Sequence, residues 1–131
     1  MAEMSNYLEN ALINVTLRAT SYTAPTTVYV ALYTADPTDA DLTANEVSTS
    51  GTGYARTAVT FGAPSNGVST NSATVTFPTA TASFGTVTHI GIRDASTAGN
   101  LLYHTPLDTS KTIDAGDIFS ITTGNLSVTL A

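Results

Sequence analysis

Short β-type runs beside turn-forming residues are the sequence feature that most constrains how this chain can fold. Residues 84–93 read FGTVTHIGIR, residues 99–107 read GNLLYHTPL and residues 126–130 read LSVTL. These runs are rich in β-branched, aromatic and aliphatic residues, and Gly, Asp, Asn or Pro next to them favours turns. The pattern is typical of a β domain with tight connections, and no catalytic constellation lies among the runs.

The remaining β-type runs predict the fold class. Turn signals such as Pro64-Ser65-Asn66-Gly67 and Gly124-Asn125 separate them. Several short strands at this spacing favour a sandwich or a barrel. We therefore expect one mainly β domain over residues 1–131, a compact antiparallel β-sandwich or jelly-roll-like fold preceded by one N-terminal α-helix. The strands are expected near residues 27–33, 54–61, 72–77, 85–93, 100–104, 117–122 and 125–130.

The N-terminal helix is predicted at about residues 6–18. Asn6 followed by Glu9 matches an N-cap with a carboxylate three residues later. Apolar residues recur at spacings of three and four, which places them on one helix face. This face is a candidate interface, either within the domain or with another chain. The recurring residues are Leu8, Ala11, Leu12 and Val15.

The first strand, at about residues 27–33, is apolar on both faces. One face carries Val28, Val30 and Leu32, and the other carries Tyr29, Ala31 and Tyr33. A strand of this kind is usually covered on both sides. Because tyrosine is enriched at protein interfaces, the Tyr29 and Tyr33 face favours contact with a partner over plain core.

Composition and charge exclude several classes of function. The chain has ten acids and four bases, a net charge of −6 and no cysteine. Nucleic acid is not an expected partner, because phosphate binding needs clustered Lys and Arg and the bases here are scattered. No apolar run approaches the roughly 20 residues that span a bilayer, so no membrane partner is expected.

Residues 34–53 form an acidic loop that offers a weak calcium site. Asp36, Asp39 and Asp41 supply carboxylate oxygens, which Ca²⁺ prefers, but their spacing does not match the EF-hand pattern. A solvated acidic loop is the favoured interpretation. No bound metal or other cofactor is expected.

Enzyme activity is not expected. The two histidines, His89 and His104, lie in β-type runs, and two histidines fall short of a convincing zinc site. The motifs of serine hydrolases, zinc proteases and phosphate-binding loops do not occur. A glycan-acting enzyme remains a weaker alternative, because its two carboxylates must face each other across a cleft and the acids here lie mainly in loops.

Arg56 and Arg93 lie in β-type runs that are otherwise poor in charge. A buried or interfacial arginine normally pairs with a carboxylate through two hydrogen bonds. Either residue therefore forms an ion pair between subunits or points to solvent from an edge strand. Both interpretations remain open at this point.

Over nearly its whole length the sequence resembles a family of small proteins encoded by tailed bacteriophages and prophages. Members of that family are virion structural proteins, and some are labelled tail fibre. The resemblance implies no enzyme activity and provides no catalytic residues. It rests on the order of MSNYLENALIN at 4–14, YVALY at 29–33, GYAR at 53–56, AVTFGAPS at 58–65, THIGIRDA at 88–95 and GNLLYH at 99–104.

The expected location is the virion, with assembly in the cytoplasm of the host cell. A fibre rod needs length or repeats, and this chain has neither. We therefore expect a capsid cement (decoration) protein that bridges neighbouring copies of the major capsid protein, as a homotrimer at icosahedral junctions. The alternative is a structural or adaptor protein of the tail, the baseplate or the fibre base, bound to another virion protein.

Overall fold

The computed structural model describes residues 2–130, in which nine β-strands accompany one α-helix and one short 3-10 turn (Thr43–Asn45). The mainly β fold with an N-terminal helix agrees with the class predicted from the sequence. The elements are β1 (Glu3–Met4), α1 (Asn6–Leu17), β2 (Val28–Tyr33), β3 (Thr57–Val59), β4 (Val68–Thr70), β5 (Val75–Thr76), β6 (Gly85–Arg93), β7 (Leu101–Ile113), β8 (Ser120–Ile121) and β9 (Ser127–Thr129).

Five of these strands form the main sheet, in the order β1-β7-β6-β2-β3, and every neighbouring pair is antiparallel. Strand β2 lies between β6 and β3, with Tyr29 opposite Arg93 and Tyr33 opposite His89. The pairs β4–β9 and β5–β8 form two smaller antiparallel sheets.

The two smaller sheets and the main sheet share a hydrophobic core. Val30 and Leu32 of β2 pack in the same cluster as Val75 of β5 and Leu126 before β9. The opposite face of β2 has its own buried cluster of Ala31, Tyr33 and Leu101. Burial on both faces confirms the prediction that this strand is covered on both sides. It also places β2 in the interior of the sheet.

The long strand β7 differs most from the prediction, which ended it at residue 104. It continues to Ile113 because, after an interruption at residues 107–110, Lys111, Thr112 and Ile113 pair again with β6. Pro106 lies opposite His89, beside a register shift between Val87 and His89. A proline has no N–H to donate to a ladder and is tolerated at such an irregularity, so it does not end the strand.

Two strands were not predicted, and one helix cap was assigned one residue late. Strand β1 is too short for any alternation to show, and β4 follows the predicted turn, in which Asn66 and Gly67 have φ of 52° and 77°. The helix cap is Ser5 and not Asn6: its Oγ accepts a hydrogen bond from the Leu8 amide at 3.3 Å. The Ser5 hydroxyl also donates to the Leu101 carbonyl, which joins the helix start to β7.

The tight packing around Gly91 of β6 predicts that a methyl group is not tolerated there. A Cβ on Gly91 lies 2.7 Å from Leu101 Cδ1 and 2.9 Å from Tyr33 Cε2. We expect Gly91→Ala to lower the free energy of unfolding by about 1–3 kcal/mol, the usual cost of overpacking a core. Urea denaturation measures this change.

Gly62→Ala is the matched control, because the nearest atom to its added Cβ is the Thr70 carbonyl oxygen at 3.8 Å. This variant is expected to unfold within about 0.5 kcal/mol of the unmodified protein. Equal destabilisation of the two variants contradicts the packing described for Gly91.

Candidate functional site

The second half of helix α1 exposes apolar side chains on two opposite sides, Ile13 and Leu17 on one and Val15 on the other. Ile13 is 53% exposed, Val15 40% and Leu17 78%, and within the helix only Leu8 is buried. Thr16 and Arg18 beside them are also exposed. We call residues 13–18 the exposed helix end. Single exposed apolar residues are ordinary on protein surfaces, but several of them grouped at one helix end favour an interaction site.

The chain turns back on the helix after this exposed helix end. Ala19 has a φ of 53°, and the Thr20 amide donates to the Asn14 carbonyl at 3.1 Å. Residues 20–23 then form a groove with Tyr7, Asn10, Ala11 and Asn14 of the helix. Burial, followed by the nearby Tyr7 and Asp94, raises the pKa of Tyr22. The segment therefore lies against the helix and leaves the side chains of Ile13, Val15 and Leu17 uncovered.

This part of the surface carries little charge. Residues 10–27 contain Arg18 and no acid, whereas all ten acids of the chain lie elsewhere. A partner that binds this segment does not have to desolvate a carboxylate. Desolvation of charged groups is the main cost of burying acidic surface. Depletion of charge with exposed apolar groups is the composition of interface centres.

Two arginines, one buried and one half-buried, hold the acidic loop, residues 34–53, against the sheet. The Arg93 guanidinium donates to both carboxylate oxygens of Asp41, at 2.6 and 2.9 Å, and to the Tyr33 hydroxyl at 3.0 Å. Burial alone lowers the pKa of Arg93, but the hydrogen bonds to Asp41 and Tyr33 outweigh this effect and raise it. Arg93 is charged although only 1% of its side chain is exposed, and Asp41 of the loop offsets the cost of burying that charge.

The second arginine makes a comparable arrangement with Glu46. Arg56 donates to both Glu46 oxygens at 2.8 Å and to the Ala95 and Ala98 carbonyls at 3.0 and 2.8 Å. The Tyr54 hydroxyl donates to Glu46 at 2.7 Å. Burial alone raises the pKa of Glu46, but the hydrogen bonds from Arg56 and Tyr54 outweigh it and hold that pKa below its ordinary value of 4.5.

The interface residues predicted from the sequence differ in burial and do not form one surface. Tyr33 and Arg93 are buried and Arg56 is paired within the chain, so an ion pair between subunits does not fit these arginines. Leu8 docks inside the domain, Leu12 and Tyr29 are half-buried, and Val15 is exposed. Ile13 and Leu17 were not among the predicted interface residues, because they lie off the apolar stripe that indicated the helix. Their exposure depends on where the helix sits.

The predicted calcium ligands do not form a common site. Asp36 accepts from the Thr38 amide, Asp39 lies 2.8 Å from His104 Nε2 and Asp41 pairs with Arg93. Among residues 2–130, the group of His and acid side chains whose ligand atoms approach within 4.8 Å is Glu3, Asp39 and His104. These residues come from three separate segments, so sequence spacing did not reveal them.

In the described part of the chain, no helix has the length and apolar character needed to cross a membrane.

The lowered pKa of Glu46 predicts how stability depends on pH. A carboxylate with a depressed folded pKa stabilises the fold fully above about pH 4.5, and this stabilisation is lost as the pH falls through the folded pKa. Glu46→Gln is expected to lower the free energy of unfolding by about 2 kcal/mol at pH 7. This value lies between the contribution of a typical surface ion pair and the cost of breaking a buried one. Its unfolding free energy should change less between pH 5 and pH 3 than that of the unmodified protein.

Denaturant titrations at several pH values measure both effects. Asp108→Asn, which changes an exposed residue of β7, serves as the control and should follow the unmodified protein. A Glu46→Gln profile parallel to that of the unmodified protein over this range contradicts the described ion pair.

Comparison with known proteins identifies the family. The chain matches, over residues 3–129, the sequence profile of a family described as Podophage GP4 fiber I protein gp80. A search of curated proteins finds no significant match. Because the matched region includes almost every residue, the chain belongs to this family of phage virion structural proteins.

Proposed function

We propose that this protein is a structural component of the phage tail or fibre apparatus, attached at the fibre base or acting as an adaptor. The observation that carries the proposal is the fibre description of its family, matched over residues 3–129. That description favours a tail or fibre location over capsid decoration, which was the first expectation from the sequence. The small β domain suits a joint between other proteins better than the rod of a fibre.

The proposed role is adhesion to a neighbouring virion structural protein, without catalysis. Support comes from the exposed helix end, where Ile13 and Leu17, one turn apart, offer an apolar and nearly uncharged surface. The acids of the loop accept hydrogen bonds from an arginine, a histidine or the backbone. The proposed oligomer is a homotrimer, a closed symmetric assembly that repeats this joint three times.

Counting copies per virion distinguishes the tail from the capsid. Purified particles are analysed by quantitative mass spectrometry against the major capsid protein. We expect on the order of tens of copies or fewer, the number set by the symmetry of a tail, whereas decoration of an icosahedral shell requires on the order of hundreds. A count in the hundreds contradicts the tail or fibre proposal.

The exposed helix end predicts a residue whose change prevents attachment without unfolding the protein. Ile13→Asp places a charge on an exposed helix position, so the expected loss of stability is below about 1 kcal/mol. If this surface contacts a virion protein, the same charge is buried without a partner in the virion. We expect incorporation into particles to fall at least about tenfold.

Ile118→Asp is the matched control, because Ile118 is 59% exposed, close to the 53% of Ile13, and lies outside the helix. Each variant is supplied to a phage that lacks the gene, and its content in purified virions is measured by immunoblot. Circular dichroism confirms that both are folded. Normal incorporation of Ile13→Asp, or an equal loss of Ile118→Asp, contradicts the proposed contact surface.

A further inference from the structure

A histidine and two acids from three distant segments converge at the edge of the main sheet. Glu3 belongs to β1, Asp39 to the acidic loop and His104 to β7, and their ligand atoms all lie within 4.8 Å of one another. Glu3 and His104 are direct partners in the antiparallel pairing of β1 with β7. Directly opposite residues project to the same face of a sheet, so the strand register itself brings this carboxylate to the imidazole.

The burial of the cluster is graded from inside to outside. His104 is 3% exposed, whereas Glu3 and Asp39 are exposed. His104 Nε2 lies 2.8 Å from Asp39 Oδ1, and His104 Nδ1 lies 3.6 Å from Asp36 Oδ1. Glu3 and Asp39, together with Glu9 of the helix, line a surface depression. A ligand in this depression therefore meets carboxylates on its walls, and Asp39 connects it to the buried imidazole behind them.

The partial positive charge at the start of helix α1 gives a simpler reason for nearby acids, since it stabilises carboxylates there. It accounts for Glu9 in the first turn and for the proximity of Asp39, whose carbonyl accepts from the Asn6 amide at 2.9 Å. It does not account for a buried imidazole directed at those acids. Nitrogen and carboxylate oxygen ligands together on a fixed frame are the donor set of a divalent transition metal.

We propose that Glu3, Asp39 and His104 form a binding site for one divalent transition-metal ion of the Zn²⁺ class. Imidazole nitrogen favours such ions over Ca²⁺ and Mg²⁺, which prefer all-oxygen sites. Two carboxylates neutralise the charge of the ion, and Glu9 adds to the negative potential of the depression. The ion replaces the hydrogen bond between His104 and Asp39, and it links β1, the acidic loop and β7.

This site does not depend on the proposed virion location. A bound ion would hold the start of helix α1 against the main sheet. Strand β1 is only two residues long and precedes the helix directly. A metal bond from Glu3 to the long strand β7 therefore secures the segment from which helix α1 starts. Binding to the folded state alone stabilises it by an amount that grows with the metal concentration.

The test uses the full chain without a polyhistidine tag and measures binding of Zn²⁺ by isothermal titration calorimetry and by thermal unfolding. We expect one ion per chain and a rise in the unfolding temperature that Ca²⁺ and Mg²⁺ do not reproduce. Glu3→Gln keeps the His104–Asp39 pair and should bind Zn²⁺ at least about tenfold more weakly. Asp108→Asn, an exposed acid on the same strand as His104, should bind as the unmodified protein does.

Asp39→Asn provides a second variant, since its amide oxygen still accepts a hydrogen bond from His104, and it too should bind Zn²⁺ at least about tenfold more weakly. Weakening in Glu3→Gln and Asp39→Asn but not in Asp108→Asn supports the site. The proposal is overturned if Zn²⁺ does not bind, if it binds the Glu3 and Asp39 variants as tightly as the unmodified protein, or if Ca²⁺ binds in its place.

Discussion

The ion pair between Arg93 and Asp41 is the interaction on which the arrangement of this protein depends. It anchors the acidic loop, residues 34–53, to the centre of the main sheet through two hydrogen bonds, at 2.6 and 2.9 Å. The anchored loop then positions Asp39. The Asp39 carbonyl accepts a hydrogen bond from the Asn6 amide, and the Asp39 carboxylate is hydrogen-bonded to the His104 ring. A buried arginine without this partner is strongly destabilising, so the loop, the start of the helix and the sheet edge are fixed together.

Fixing only the start of helix α1 has a functional consequence. Ser5 and Leu8 attach the first turn to β7 and the domain, whereas residues 13–18 extend with their apolar side chains uncovered. The fold thus combines a packed β domain with an exposed helix end that is apolar and nearly uncharged. This combination suits a protein that belongs to a phage fibre family and is proposed to join other virion proteins.

Local patterns in the sequence predicted the local features of the fold, and long-range pairing decided the rest. Alternation in residues 28–33 was sufficient to predict a strand covered on both faces, and the spacing of Leu8 and Leu12 predicted the helix. The partners of Arg93 and Arg56 lie 52 and 10 positions away and depend on how the loop folds back. For the same reason, no pattern revealed that Glu3 and His104 face each other, or that Ile13 and Leu17 stay exposed.

The central claim is that the exposed helix end attaches this protein to a neighbouring protein of the tail or fibre apparatus. A cryo-electron microscopy reconstruction of the intact virion tests it most directly, because it locates the chain and shows what covers residues 13–18. The account predicts a position at the tail or fibre base, with Ile13 and Leu17 buried against an adjacent chain. A position on the capsid shell, or a helix end open to solvent in the assembled particle, contradicts it.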